Sequence, residues 1–160
     1  MEHQLLLYRV SQRPHPPGFV FSAGHWRQGF DEYSMRVEGR DPIAPWRMAG
    51  EFIIEHVRAS AFPDRPSRLN CCFAWPDEEN ARLCVNQSPG HCIEVVEPVL
   101  PDARRFVADF ALLLSRNLHQ IDAKFLPHVM TVARQYWTGG KAQAPEVLIE
   151  SDLRLVGVLP

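Results

Sequence analysis

The chain of 160 residues sets 17 basic against 19 acidic side chains, a net charge of −2 with histidine neutral, at 46% hydrophobic and 22% charged residues, the composition of an ordinary globular protein of one-domain length. The charges divide evenly, 9 basic and 11 acidic through residue 80 and 8 of each after it, so no basic face for general nucleic-acid binding is expected. No apolar run approaches the ~20 residues of a spanning helix, the opening MEHQLLLYRV is too short in apolar residues for a signal peptide, and a two-domain dehydrogenase has no room.

The first predicted element is a buried strand over residues 4–10, stopped by the prolines that follow it. Residues 18–26 read as a second short strand or irregular hairpin. Residues 27–45, punctuated by Gly39, Pro42 and Pro45, read as a loop with room for one helical turn. A helix is expected from Trp46 to Ser60, with Pro45 at its start. Its apolar stripe is Trp46, Ala49, Ile53 and Val57 with Phe52 beside it, and Glu51, Glu55 and Arg58 read as its solvated face. Leu69–Trp75 is a short buried strand. Pro76, Asp77, Glu78 and Glu79 open a helix with acids at the positive end of its dipole, ending near residues 88–90. His91–Val96 is the next strand.

Asp102 is expected to cap a long helix over 103–120 with Phe106, Val107, Phe110, Leu113, Leu114 and Leu118 as its apolar face. A second helix over 123–137 stops at Gly139-Gly140. Residues 102–140 thus read as a helical insertion between late strands. Glu146–Leu159 reads as two strands with a turn near Ser151-Asp152. The whole is expected to be a single α+β domain over residues 1–160, its sheet mostly antiparallel.

Familiar signatures are absent: no GxGxxG after a strand, no phosphate-loop spacing around Gly139-Gly140-Lys141, no HExxH and no GxSxG. Cys71, Cys72, Cys84 and Cys92 contain no CxxC, and their spacing with His91 matches no common zinc motif, so no metal is expected. Reduced thiols and a cytoplasmic protein are the expectation. Arg9 in an apolar strand needs a counter-group, because an unpaired buried charge is costly. Arg65, Ser67 and Arg68 lie on a proline-rich loop from which they would reach phosphate oxygens. Tyr136 and Trp137 read as core. His25-Trp26 is a candidate contact for a base or nicotinamide ring.

Three segments work as a set. Tyr8-Arg9 lies on the first strand. Phe73-Ala74 ends the middle strand ahead of a helix bearing Asn80-Ala81. Glu146-Val147-Leu148 opens a late strand, with CIEVVEP (92–98) and LRLVGV (153–158) as the other late strands. In this order they resemble the ADP-ribosyltransferase superfamily of mono-ADP-ribosylating toxins, poly-ADP-ribose polymerases and rifampicin-modifying transferases.

The resemblance implies an ADP-ribosyltransferase-like fold, a split, mostly antiparallel sheet with flanking helices. It implies transfer of ADP-ribose from NAD, as substrate, to a macromolecule, protein or nucleic acid, with release of nicotinamide. Glu146 and Arg9 would be the catalytic pair, and Tyr8, Arg9, Ser67, Arg68, Cys72 and Phe73 would bind NAD. The chemistry fits: breaking the nicotinamide–ribose bond creates an oxocarbenium-like centre, which a carboxylate at the ribose stabilises. Cys72 stands where one group of the family stacks a tyrosine on nicotinamide, the Ser-Thr-Ser of another group is missing, and Ala144 stands where arginine modifiers carry Glu or Gln. The alternatives are an NAD glycohydrolase on the same fold, a non-catalytic binding or inhibitor module, which the departures favour, and a structural or interaction protein using the 103–137 helical pair. Delivery into a host or target cell fits the same resemblance, and the oligomeric state is left open.

Overall fold

The computed structural model describes residues 5–32, 44–86, 90–120 and 122–159. Strands β1 (Leu7–Ser11) and β2 (Val20–Phe21) lead into α1 (His25–Asp31) and α2 (Ala44–Ala61). A 3-10 turn at Arg68–Asn70 precedes β3 (Cys72–Ala74), α3 (Glu78–Asn86), β4 (Cys92–Pro98) and β5 (Arg105–Asp109). A second 3-10 turn (Phe110–Leu113), α4 (Ser115–Leu118), α5 (Phe125–Thr138), β6 (Pro145–Ile149) and β7 (Leu153–Leu159) follow. The fold is α+β, and all the strand pairs are antiparallel. Among the described residues no helix is long and apolar enough to cross a membrane. The loop expected around Gly39 and Pro42 lies in 33–43, and the expected end of α3 falls partly in 87–89, both outside the described residues.

The strands form a four-stranded sheet ordered β1-β4-β7-β2 and a three-stranded sheet ordered β3-β6-β5. The sheets meet at an isolated bridge between Tyr8 and Trp75, whose backbones exchange hydrogen bonds of 3.0 and 2.7 Å. β1 therefore runs beside the end of β3, although 64 residues separate Arg9 from Phe73, to whose carbonyl its side chain donates.

Side-chain alternation explains how the layers close. A strand sends successive side chains to opposite faces, and β6 is buried on both. Val147 and Ile149 join Leu7, Cys72, Ala74, Val96, Leu153 and Leu155 between the sheets. Leu148 joins Ile54, Val57, Phe106, Val129, Val132, Ala133, Tyr136 and Trp137 under the paired helices α2 and α5. Glu146 shares the Leu148 face by the same alternation, so its carboxylate enters the helix-covered layer. Trp137 ties that layer together by donating its indole N–H to the Ile54 carbonyl at 2.9 Å. Gly139 ends α5 at φ 75°, and a Cβ there would meet the Phe106 ring at 3.2 Å, so both backbone and space call for glycine.

Three expectations are corrected. Residues 25–31 form α1, where the end of a strand or hairpin and the start of a loop were expected. Residues 103–120 are not one long helix: 105–109 pair with β6, Phe106 and Ala108 inward and Arg105 and Val107 outward. Phe106, Val107 and Phe110 fit a helical stripe on paper, but the consecutive apolar residues Phe106, Val107 and Ala108 suit a short strand as well, and pairing with β6 decides between them. The helical insertion within 102–140 is accordingly reduced to its second half. The buried stripe of α2 is Gly50, Glu51, Ile54 and Val57, about one position round from the expected stripe, and Trp46 and Phe52 face outward.

Candidate functional site

A cavity of about 430 Å³ opens where the two sheets meet, within the size range of small-molecule sites. Arg9 and Val10 of β1, Arg68, Phe73, Ala74 and Trp75 of the β3 segment, and Glu146 of β6 line it, with Trp26, Phe110, Cys84 and His91 around them. A second cavity, about 580 Å³, adjoins it and shares Arg9, Trp26 and Phe73. The two are lobes about one arginine.

Arg9 stands on β1 with its guanidinium 4.2 Å from the centroid of the Phe21 ring. Its Nη1 donates to the Phe73 carbonyl at 3.3 Å, and its Nε is buried with no hydrogen-bond partner among the described residues. No carboxylate of the described residues makes an ion pair with it. Burial pushes its pKa down, against the opposing fields of Cys72 and Glu94. A guanidinium held this way has donors to offer an anion entering the cavity.

Glu146 is nearly covered, 6% exposed. Its Oε1 accepts from Tyr136 Oη at 2.6 Å and from Arg68 Nη1 at 2.8 Å, and Arg68 Nη1 also donates to Tyr136 Oη at 2.6 Å. Arg68 closes the network on Glu51 through Nε to Oε2 at 3.0 Å and Nη2 to Oε1 at 3.1 Å. Burial opposes the charge on Arg68, yet the fields of Glu51, Tyr136 and Glu146 outweigh it and hold its pKa well above the ordinary value. Burial and the adjacent Glu146 hold the Tyr136 phenol protonated, so it stays a donor. Among the described residues Glu146 Oε2 makes no hydrogen bond, and it is the oxygen left for a ligand in the cavity that Glu146 lines.

The predicted site residues are brought together in part. Arg9, Arg68, Phe73 and Glu146 line the first lobe. Arg68 is spent on the protein: its Nε, Nη1 and Nη2 all donate to protein oxygens, and its guanidinium lies over the Phe73 and Tyr136 rings. Ser67 is buried outside both lobes. Its Oγ accepts from the Leu69 amide at 3.2 Å and its own amide donates to Glu150 Oε1 at 3.1 Å, so it caps the 3-10 turn. Tyr8 is committed to the bridge with Trp75 and is not among the residues lining either lobe. Cys72 points between the sheets, donates to the Phe21 carbonyl at 3.4 Å and reaches the second lobe. Burial pushes its thiol up to about 11, so it lines the lobe as a neutral thiol. Arg65 lies over the Phe106 ring, away from both lobes. Trp26 faces both lobes, whereas His25 lines only the second.

Sequence reasoning missed Glu51. It was expected on the solvated face of α2 with Glu55 and Arg58, which do pair with each other at 2.9 Å. Glu51 instead sits in the buried stripe, where only the Arg68 fork makes a carboxylate tolerable. The adjacency of Glu51 to Gly50, on a stripe with Ile54 and Val57, was the available signal.

The model of a family described as "Protein of unknown function (DUF2441)" matches residues 26–159, a span that takes in Arg68, Tyr136 and Glu146 and begins after Arg9. No curated protein matches the sequence.

Proposed function

The chain belongs to this family of proteins of unknown function (DUF2441), and we propose that it is an NAD-dependent ADP-ribosyltransferase. On this reading its split antiparallel sheets form an ADP-ribosyltransferase-like fold, and ADP-ribose passes from NAD to a protein or nucleic acid as nicotinamide leaves. One observation carries the proposal: Arg9 from the first strand and Glu146 from the sixth line one aromatic-walled cavity.

The residues suit NAD. The Arg9 guanidinium, which makes no ion pair with a carboxylate of the described residues, would take the pyrophosphate. Phe73, Trp75, Trp26 and Phe110 offer apolar surface to nicotinamide. Glu146 Oε2 would accept the ribose 2′-hydroxyl and stabilise the positive charge that grows at C1′ as the glycosidic bond breaks. Arg68 and Tyr136 position Glu146 and do not bind NAD themselves. The four cysteines are free, which supports a reducing, cytoplasmic setting.

Incubating the chain with adenylate-labelled NAD and a cell lysate tests the proposal. Label on protein or nucleic acid is expected. Free labelled ADP-ribose alone would make it an NAD glycohydrolase, and intact NAD would contradict the reading. The engagement of Glu146 Oε1 by two buried donors favours a second reading, a binding module in which Glu146 is purely structural. That reading predicts no nicotinamide release at any NAD concentration.

A further inference from the structure

The second lobe holds a histidine fixed in one orientation. Glu94 on β4 is fully buried and accepts three donors: Ser11 Oγ at 2.6 Å, the His15 amide at 2.8 Å and His15 Nδ1 at 3.0 Å. The His15 ring also packs on Phe19, centroids 4.4 Å apart, and against the edge of Phe21 at 4.9 Å. With Nδ1 bound to Glu94, Nε2 is the nitrogen left to the lobe. A carboxylate on one ring nitrogen fixes the tautomer that leaves the other as an acceptor and stabilises the imidazolium formed on protonation.

We propose that the second lobe receives the acceptor of ADP-ribose, an alcohol, and that His15 Nε2 is its general base, with Glu94 as the positioning residue. The inference rests on the NAD reading above. The lobes join at Arg9, Trp26 and Phe73, which puts the acceptor beside NAD on the side away from Glu146. In the step, the C1′–N bond breaks with its electron pair leaving on nicotinamide. The alcohol oxygen forms the C1′–O bond, and its proton passes to His15 Nε2 and then to solvent. The titratable groups sharing the lobe with His15 are Arg9, His25, Cys71 and Cys72, and Glu94, with the Ser11 hydroxyl on it, holds the His15 ring.

The test uses the full chain, NAD and methanol as the hydroxyl probe, with nicotinamide and methyl ADP-riboside measured together. H15N keeps an N–H donor for Glu94 and removes the base, and H15F keeps the ring packing if H15N fails to fold. NAD affinity and KM should hold within about twofold. Product formation should fall on the order of 10²-fold or more in both variants, the usual contribution of a general base. E94Q should lower kcat and leave NAD affinity unchanged.

Wild-type rates in both His15 variants overturn this inference alone. Nicotinamide release that yields only free ADP-ribose in methanol overturns the alcohol acceptor. No release by the wild-type chain overturns the NAD reading and this inference with it.

Discussion

Arg68 grips Glu51 as a fork on a fork, Nε to Oε2 at 3.0 Å and Nη2 to Oε1 at 3.1 Å, while its remaining nitrogen reaches Glu146. One guanidinium thus joins α2 to β6 through the helix-covered core, and the proposed catalytic carboxylate is held by the same residue that holds the fold.

Removing that guanidinium should be costly. R68M leaves Glu51 and Glu146 buried without their cation, and breaking a buried pair in this way costs about 3–5 kcal/mol. For a chain of this size each kcal/mol moves Tm by roughly 2–4 °C, so a thermal melt should fall by about 10 °C. A melt within 2 °C of wild type would show that the network is not what secures α2.

Tyr136 separates positioning from folding. Y136F removes the donor to Glu146 Oε1 and leaves the ring in the core, an expected loss of about 1–3 kcal/mol by denaturant titration. Because Arg68 still holds Oε1, NAD affinity should stay and nicotinamide release should fall. Unchanged release would show that the phenol does not position Glu146.

Arg9 should behave in the opposite way to Arg68. Its charge is desolvated with no ion-paired carboxylate among the described residues, so R9M should leave Tm unchanged or raise it, as expected when a binding group is retained against stability. NAD binding by calorimetry should be lost. A large drop in Tm would show that Arg9 is a structural pair whose partner has been misjudged.

Glu94 sets an acid limb. Burial opposes its charge, but the hydrogen bonds from Ser11 and His15 and the field of His15 hold its pKa below the ordinary carboxylate value. A carboxylate lowered in the folded state contributes stability that is full above its unfolded pKa and is lost as pH falls through the folded one. Stability measured by urea titration should therefore decline below the ordinary carboxylate range, near 4.5, and E94Q should flatten that decline. An identical acid limb in E94Q would assign it to other groups.

Much of this was legible in the sequence, and the misses have physical causes. β1, β4, β6, β7 and the α2 and α5 helices follow from apolar runs bounded by proline and glycine, and Arg9 stood out as a charge in an apolar strand. Glu146 was legible as the acid opening β6, but its partners were not: Tyr136 read as core, which it is, and nothing local says that its hydroxyl meets a carboxylate. The β5 segment failed because Phe106, Val107 and Phe110 fit a helical stripe, whereas the strand turns the apolar Val107 outward, and only the neighbouring strand decides. His15 was passed over because it sits in a proline run, SQRPHPPG, and the carboxylate that orients it arrives from β4, 79 residues away.

The central claim is that Glu146 acts on NAD held by Arg9, and nicotinamide release by the wild-type chain and E146Q, side by side, tests it most directly. E146Q keeps an oxygen for Arg68 and Tyr136 and removes the charge. Release by the wild type and a fall of at least 10²-fold in a folded, NAD-binding E146Q is the predicted result. Equal release by both, or none by the wild type, would contradict it.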